Sequence, residues 1–187
     1  MGDRQEFRPE RLKNLLLYVA ERSKDDPYFG ATKLNKILYY VDFRAYRDLG
    51  YSITGAEYQK LPEGPAPREL LKTRRQLLNE GRIKLENHPV FNYMQQRIVL
   101  VGSADDAIAT FTPAEAAIIE DVLSMVRGKS GTEVSEMSHR EAGWKLASFY
   151  ETIPYDTAWI PPKDTELDEE SLAIARDALS ESAPDRR

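Results

Sequence analysis

The chain has 187 residues, of which 41% are hydrophobic and 30% charged, enough for one globular domain with an apolar core. Cysteine is absent, which excludes disulfide scaffolds, thiolate nucleophiles and cysteine-based zinc sites and fits a reducing cytoplasm. No run of about 18 apolar residues occurs, and residues 1–6 carry no apolar stretch. We therefore expect neither a membrane span nor a secretory signal.

The net charge of -5 is unevenly distributed along the chain. Residues 1–100 hold 18 basic and 13 acidic side chains, whereas residues 101–187 hold 8 basic and 18 acidic ones. This asymmetry favours a surface that attracts partners of opposite charge on its two sides. Ordinary solvated charged faces would produce the same counts.

Two helices are predicted in the first 50 residues. The first has an apolar stripe at helical spacing and Pro9 in its first turn. Its stripe consists of Leu12, Leu15, Leu16 and Val19. The second is expected to begin after a Thr32 cap and to end at Gly50. This second helix is apolar on most of its faces, which predicts a central position in the fold.

The middle of the chain alternates extended and helical signals. Residues 51–60 favour a strand, and the proline-rich residues 61–67 predict a rigid turn. Pro67 is expected to be the first residue of a third helix that ends at Gly81. Residues 82–101 then predict a β-hairpin or a small meander, with a turn signal at residues 87–89.

The second half contains two predicted capping boxes. Thr112 and Glu115, with Pro113 between them, predict the start of a buried helix. Ser138 and Glu141 predict another helix start, for a helix containing Trp144 and Phe149. From Asp164 onward the chain carries eight acids, three arginines and no aromatic residue.

This order of elements predicts a predominantly helical α+β fold, with a compact helical domain and a small antiparallel β-hairpin or sheet. We expect the domain to comprise residues 7–162. Residues 163–187 would form an acidic tail or a final helix.

Motifs for catalysis are missing from the sequence. There is no P-loop, dinucleotide-binding glycine pattern, nucleophile elbow or His-Glu-x-x-His motif. Of the two histidines, His88 is expected in a surface turn and His139 in a capping box. We therefore expect no enzyme activity, no cofactor and no metal site.

Nucleic-acid binding is the alternative that the residues leave open. Three cations, Arg68, Lys72 and Arg75, are expected on one face of the third helix. The following hairpin adds Arg82, Lys84 and Arg97, a layout typical of a winged helix. The alternative function is therefore a DNA-binding transcriptional regulator, although the isoelectric point of about 5.2 argues against nucleic-acid binding.

Several segments carry a family resemblance. Residues 32–40, Thr-Lys-Leu-Asn-Lys-Ile-Leu-Tyr-Tyr, resemble the Lys-Leu-x-Lys-Leu-Leu-Tyr-Tyr signature of the Panacea domain. Residues 53–60 and the pair Gly64-Pro65 are similar to the family's strand and its Tyr-Gly-Pro-Val turn, although the aromatic residue before Gly-Pro is missing. Residues 136–144 are similar to its Leu-Ser-His-x-x-x-x-Trp segment.

The resemblance implies a function in a toxin–antitoxin system. The family includes SocA-like antitoxins and phage-associated proteins. It implies a non-enzymatic domain that binds and neutralises a toxin encoded beside it, by direct inhibition or by escorting the toxin to proteolysis. The identity of the toxin stays open, as does a homo-oligomer, since no patch in the sequence identifies an interface.

Partner-binding residues are predicted from the turn and the signature together. The stiff turn can present its neighbours at low entropic cost, and two signature lysines lie off the apolar stripe of the second helix, where we expect them at the surface. Trp144 is expected in the core or at the rim of a partner site. The predicted partner contacts are Lys33, Lys36, Tyr58, Lys60, Gly64, Pro65, Arg68, His139 and Trp144.

Overall fold

The computed structural model describes residues 5–90 and 93–160, so the predicted acidic tail lies outside the described residues. The described helices are α1 (Pro9–Arg22), α2 (Ala31–Leu49), α3 (Leu70–Asn79), α4 (Asp105–Ile108), α5 (Pro113–Val126), α6 (Gly131–His139) and α7 (Ala142–Leu146). The strands are β1 (Tyr58–Gln59), β2 (Ala66–Pro67), β3 (Ile83–Val90) and β4 (Tyr93–Leu100), and a 3-10 helix spans Tyr155–Trp159. The strands form two antiparallel pairs, β1–β2 and β3–β4, which confirms the predicted helical α+β fold.

Helix α2 lies at the centre of the fold. It packs against α1, α5, α6, both strand pairs and the 3-10 helix, and its apolar residues from Leu34 to Ala45 are buried. Gly50 ends the helix in the left-handed conformation, with φ of 81°, as predicted. The predicted Thr32 cap is wrong: the helix begins at Ala31 after Gly30, which offers no capping side chain. None of the described helices is long and apolar enough to cross a membrane.

Helix starts elsewhere follow the capping predictions in part. Thr112 and Glu115 form the predicted capping box of α5. A second capping box, Ser130 with Glu133, opens α6 eight residues before the one predicted at Ser138. Ser138 lies inside α6, where its hydroxyl donates to the Ser135 carbonyl at 2.7 Å, so it caps nothing.

Residues 51–60 do not form the predicted strand, because a buried carboxylate draws the chain into a loop. Asp42 of α2 is fully buried and accepts hydrogen bonds from the Thr54 backbone N–H at 2.8 Å, the Thr54 hydroxyl and the Tyr58 hydroxyl at 2.8 Å. Only Tyr58 and Gln59 remain extended, paired with β2. Burial raises the pKa of Asp42, and the hydrogen bonds from Thr54 and Tyr58 oppose that shift.

The proline-rich segment is also placed differently from the prediction. Pro67 lies in β2 opposite Tyr58, and α3 begins three residues later at Leu70. The second strand pair confirms the predicted hairpin, but residues 87–89 lie within β3 and not in its turn. Pro89 is tolerated there because this two-stranded ribbon leaves one edge of each strand unpaired.

We predict that Asp42→Ala destabilises the protein by about 2–4 kcal/mol, because it leaves two hydroxyls and one backbone N–H without an acceptor in the core. The matched control is Asp48→Ala in the same helix, where the carboxylate is exposed and pairs with the adjacent Arg47, so its effect should stay within about 0.5 kcal/mol. Urea unfolding measures both. Equal free energies of unfolding for the two variants would contradict the anchoring role of Asp42.

A candidate partner-binding site at the β1–β2 turn

The turn between β1 and β2 is held against α6 and α7. The Gly64 N–H donates to the Leu61 carbonyl at 2.9 Å, and the Trp144 indole N–H donates to the same carbonyl at 3.1 Å. The Ser135 hydroxyl of α6 donates to the Glu63 carbonyl. Pro62 and Glu63 are exposed at the tip of the turn, whereas Gly64 and the residue after it, Pro65, are buried.

Gly64 is required at its position for two reasons. Its φ of 100° lies in the region that disfavours side chains. A Cβ atom there would also overlap the Ser138 hydroxyl and lie 2.5 Å from Lys36 Cε. The backbone of the turn therefore lies directly against the end of the Lys36 side chain.

Lys36 is a buried cation under this turn. It is 1% exposed, and within residues 5–90 and 93–160 its ammonium forms no hydrogen bond or ion pair. Burial lowers the pKa of Lys36 to about 8, and the nearby Glu63 carboxylate opposes the shift. An ammonium held in this way favours any anion that can approach it.

His139 adds a second basic group beside Lys36. Its ring stacks on Trp144 with centroids 4.0 Å apart, and its Nε2 has no partner among the described residues. Burial lowers the pKa of His139, and the positive charges of Lys36 and Lys60 lower it further. We refer to Lys36, Lys60 and His139 as the basic cluster.

Lys60 joins the basic cluster to a group of aromatic rings. Its ammonium donates to the Ala147 carbonyl at 3.0 Å. It also lies 4.2 Å from the centre of the Trp144 ring and 4.9 Å from that of Phe149, within the range of a cation–π interaction. The charge of Lys60 thus stabilises the positions of the Trp144 and Phe149 rings through cation–π interactions.

Two aromatic residues beside Lys60, Phe149 and Tyr150, were not predicted from the sequence as site residues. Phe149 is 53% exposed and Tyr150 is 65% exposed, because α7 ends at Leu146 and not beyond Phe149 as predicted. Tyr150 has a φ of 69°, and its N–H and carbonyl are held by the Lys60 carbonyl at 2.8 Å and the Arg68 guanidinium at 2.7 Å. We name Trp144, Phe149 and Tyr150 the aromatic ledge. Nothing local in the sequence indicates a positive φ at a tyrosine.

The structure brings most of the predicted contacts together. Around the turn lie Lys36, Lys60, Gly64, Pro65, His139 and Trp144, with Arg68 at the edge of the aromatic ledge. The expectation that Lys33 and Lys36 lie at the surface is wrong, since each is 1% exposed on the enclosed helix α2.

Two of the predicted contacts lie elsewhere. Lys33 donates to Asp26 at 2.6 Å and to the Lys129 carbonyl at 2.7 Å, away from the turn. Tyr58 is buried and donates to Asp42. Both side chains have structural partners inside the fold.

The predicted basic face for nucleic acid is interrupted. Arg68 lies before α3 and pairs with Glu57 at 3.2 Å. In the hairpin, Arg82 pairs with Asp106 and Lys84 pairs with Glu86, while Arg97 donates to backbone carbonyls including that of Asp26. Lys72 and Arg75 are exposed on α3. The six cations therefore do not form one continuous surface for phosphates.

We predict that Gly64→Ala destabilises the protein by about 2–4 kcal/mol, from the positive φ together with the overlap against Lys36 and Ser138. Gly50→Ala is the matched control: its φ is 81°, but a Cβ there meets nothing within 4 Å, so the expected loss is about 1 kcal/mol. Denaturant unfolding distinguishes them. Equal losses would show that the turn can move away from Lys36 at no cost.

The pKa of Lys36 predicts a pH dependence of stability. The unfolded chain holds the Lys36 proton up to pH 10.5 and the folded protein up to about pH 8, so the unfolded state binds more protons between these values. We expect the free energy of unfolding to rise by about 3 kcal/mol over this range, relative to that of Lys36→Met. The variant should be the more stable protein at pH 7 and lose this advantage by pH 10.5. A difference that does not change with pH would show that Lys36 is not desolvated.

A protein-family model matches a large part of the chain. The model of the family described as "Antitoxin SocA-like, Panacea domain" matches residues 34–145. This segment includes most of α2, the β1–β2 turn and α6, and it contains the three members of the basic cluster and Trp144. No curated protein and no solved structure matches the chain significantly. Because the matched residues make up more than half of the chain, the protein belongs to the antitoxin SocA-like, Panacea domain family.

Proposed function

We propose that this protein is an antitoxin that neutralises a toxin by stoichiometric binding, and that the toxin docks on the aromatic ledge and the turn beside it. Family membership supports the antitoxin role. The observation that carries the assignment to this surface is the aromatic ledge, where two adjacent rings are more than half exposed next to a cluster of buried cations.

The aromatic ledge has the composition of an interface hot spot. Tryptophan and tyrosine are enriched among the residues that dominate binding energies, because large rigid rings bury much area at little entropic cost. Tyr150 is held at a positive φ, which costs about 1–2 kcal/mol for a residue with a side chain. The hydrogen bonds of its backbone to Lys60 and Arg68 hold that conformation, so the backbone that presents the ring to solvent is fixed before a partner arrives.

The proposed action is binding without catalysis. The serine nearest to His139 in sequence, Ser138, donates its hydroxyl to a backbone carbonyl, and the His139 ring stacks on Trp144. This arrangement does not activate a nucleophile, since a general base must accept the nucleophile's hydrogen bond. Within the part of the chain that the structure describes, no three His, Asp or Glu side chains are placed to hold a metal ion.

The proposed setting is the cytoplasm, within a toxin–antitoxin pair associated with phage. Neutralisation would follow either from covering the toxin's own site or from delivering the toxin to a protease. A rigid, preformed surface favours direct covering, because little ordering entropy is lost on binding.

Co-expression with the product of the adjacent gene tests the proposed function. The neighbouring gene alone should arrest growth, and the tagged protein should restore growth and co-purify with its partner. We predict that the double variant Phe149→Ala, Tyr150→Ala weakens binding at least tenfold, a loss of about 1.4 kcal/mol. Isothermal titration calorimetry of the purified pair measures the affinity.

The matched control is the double variant Leu71→Ala, Leu78→Ala, which removes two exposed apolar side chains from α3. It should bind as the wild type does, and thermal melts should show that both double variants fold. A harmless neighbouring gene would contradict the antitoxin role. Wild-type affinity in the Phe149, Tyr150 variant would contradict the placement of the interface.

A further inference from the structure

The basic cluster contains two polar atoms whose hydrogen-bonding capacity is unused. The Lys36 ammonium has three N–H donors, and none of them donates to an acceptor within residues 5–90 and 93–160. His139 Nε2 is buried and also lacks a partner there. A buried polar atom without a hydrogen-bond partner, such as His139 Nε2, is rare in folded proteins and calls for a physical explanation.

The charges around these atoms are mostly of one sign. Lys36 of α2 and Lys60 of the β1–β2 turn both lower the pKa of His139, and the Pro62 backbone and Glu136 of the same helix oppose that shift. Glu63, at the exposed tip of the turn, is the acid whose charge raises the pKa of Lys36. Both glutamates are exposed, so water screens their charges more than those of the buried cations.

We propose that the basic cluster binds a carboxylate of the partner protein, inserted beside the tip of the turn and held by the Lys36 ammonium and the His139 Nε2–H. The identity of this partner rests on the proposed function. The partner's acidic side chain would face Lys36 from the side that Glu63 occupies at the tip.

A carboxylate fits the two unused atoms better than a neutral group does. It offers two acceptor oxygens, one for a Lys36 N–H and one for the protonated Nε2 of His139. Its charge offsets the repulsion among the three members of the basic cluster, because a bound anion favours the charged form of each. The aromatic ledge lies next to the cluster, so the matching partner segment carries an acidic residue beside an apolar one.

The site can be tested without the partner, in the full chain labelled with ¹⁵N. The side-chain nitrogen resonances of His139 are followed by NMR at pH 7 while acetate replaces chloride at constant ionic strength. We expect a saturable shift of Nε2 toward the protonated form. In Lys36→Met, we expect at least a tenfold loss of acetate affinity, and Lys72→Met, which removes an exposed lysine of α3, should behave as the wild type does.

Three results of this titration would overturn the inference. They are the absence of any acetate-dependent shift in the wild type, an unchanged acetate affinity in a folded Lys36→Met, and a sulfate response as strong as that of acetate. The third result would show a site for oxyanions in general. Thermal melts establish that Lys36→Met is folded, which is expected because methionine fills a similar volume without a buried charge.

Titration with the partner distinguishes this inference from the proposed function. If the adjacent gene product binds, Lys36→Met and His139→Gln should each reduce its affinity at least tenfold, and Lys72→Met should not. Wild-type affinity in both variants would refute the carboxylate site and leave the antitoxin role standing. Acetate binding by a protein that does not bind its neighbour's product would refute the antitoxin role and leave the carboxylate site standing.

Discussion

The fold depends on how three charged side chains of α2 are accommodated inside the protein. Lys33, Lys36 and Asp42 are all buried, although the helix that carries them also has exposed residues near its end, such as Arg47 and Asp48. A buried charge is tolerated only where neighbouring groups solvate it, so the segments that cover α2 are shaped by these residues. Asp42 organises the loop before β1, and Lys33 binds Asp26 and the carbonyl of Lys129 just before α6.

Lys36 differs from the other two. Its side chain ends against the backbone of Gly64, and its ammonium forms no hydrogen bond or ion pair within residues 5–90 and 93–160. Ser135 and Trp144 each donate a hydrogen bond to the same turn, so its backbone is held against a cation that has no hydrogen bond or ion pair among the described residues. Structural stabilisation alone does not account for this arrangement, because an apolar side chain would fill the space at lower free energy.

The family match and the geometry refer to the same part of the molecule. The matched segment begins on α2 just before Lys36 and ends on α7 just after Trp144. Between these limits, three helices contact the β1–β2 turn: α2, α6 and α7. The aromatic ledge extends this surface beyond the matched segment to Phe149 and Tyr150, next to which Arg68 lies. A basic and aromatic surface of this kind has the residue composition found at interface hot spots.

The sequence by itself determined the local elements whose signals are local. Proline at the start of α1, the Thr112–Glu115 capping box and Gly50 at the end of α2 depend on neighbours within four residues, so their chemistry predicts the helix ends. The apolar positions around α2 likewise predicted a central helix. The family signature identified the segments that meet at the turn.

Only the tertiary structure decided which polar residues are enclosed and what they contact. Helical periodicity shows which residues share a face but not whether that face is covered, so Lys33 and Lys36 were expected at the surface. The extended propensity of residues 51–57 was overridden by Asp42, a partner distant in sequence from Thr54 and Tyr58. The exposure of Phe149 and Tyr150 follows from backbone hydrogen bonds to Lys60 and Arg68, about 80–90 residues away, and contacts at that separation leave no periodic signal in a sequence.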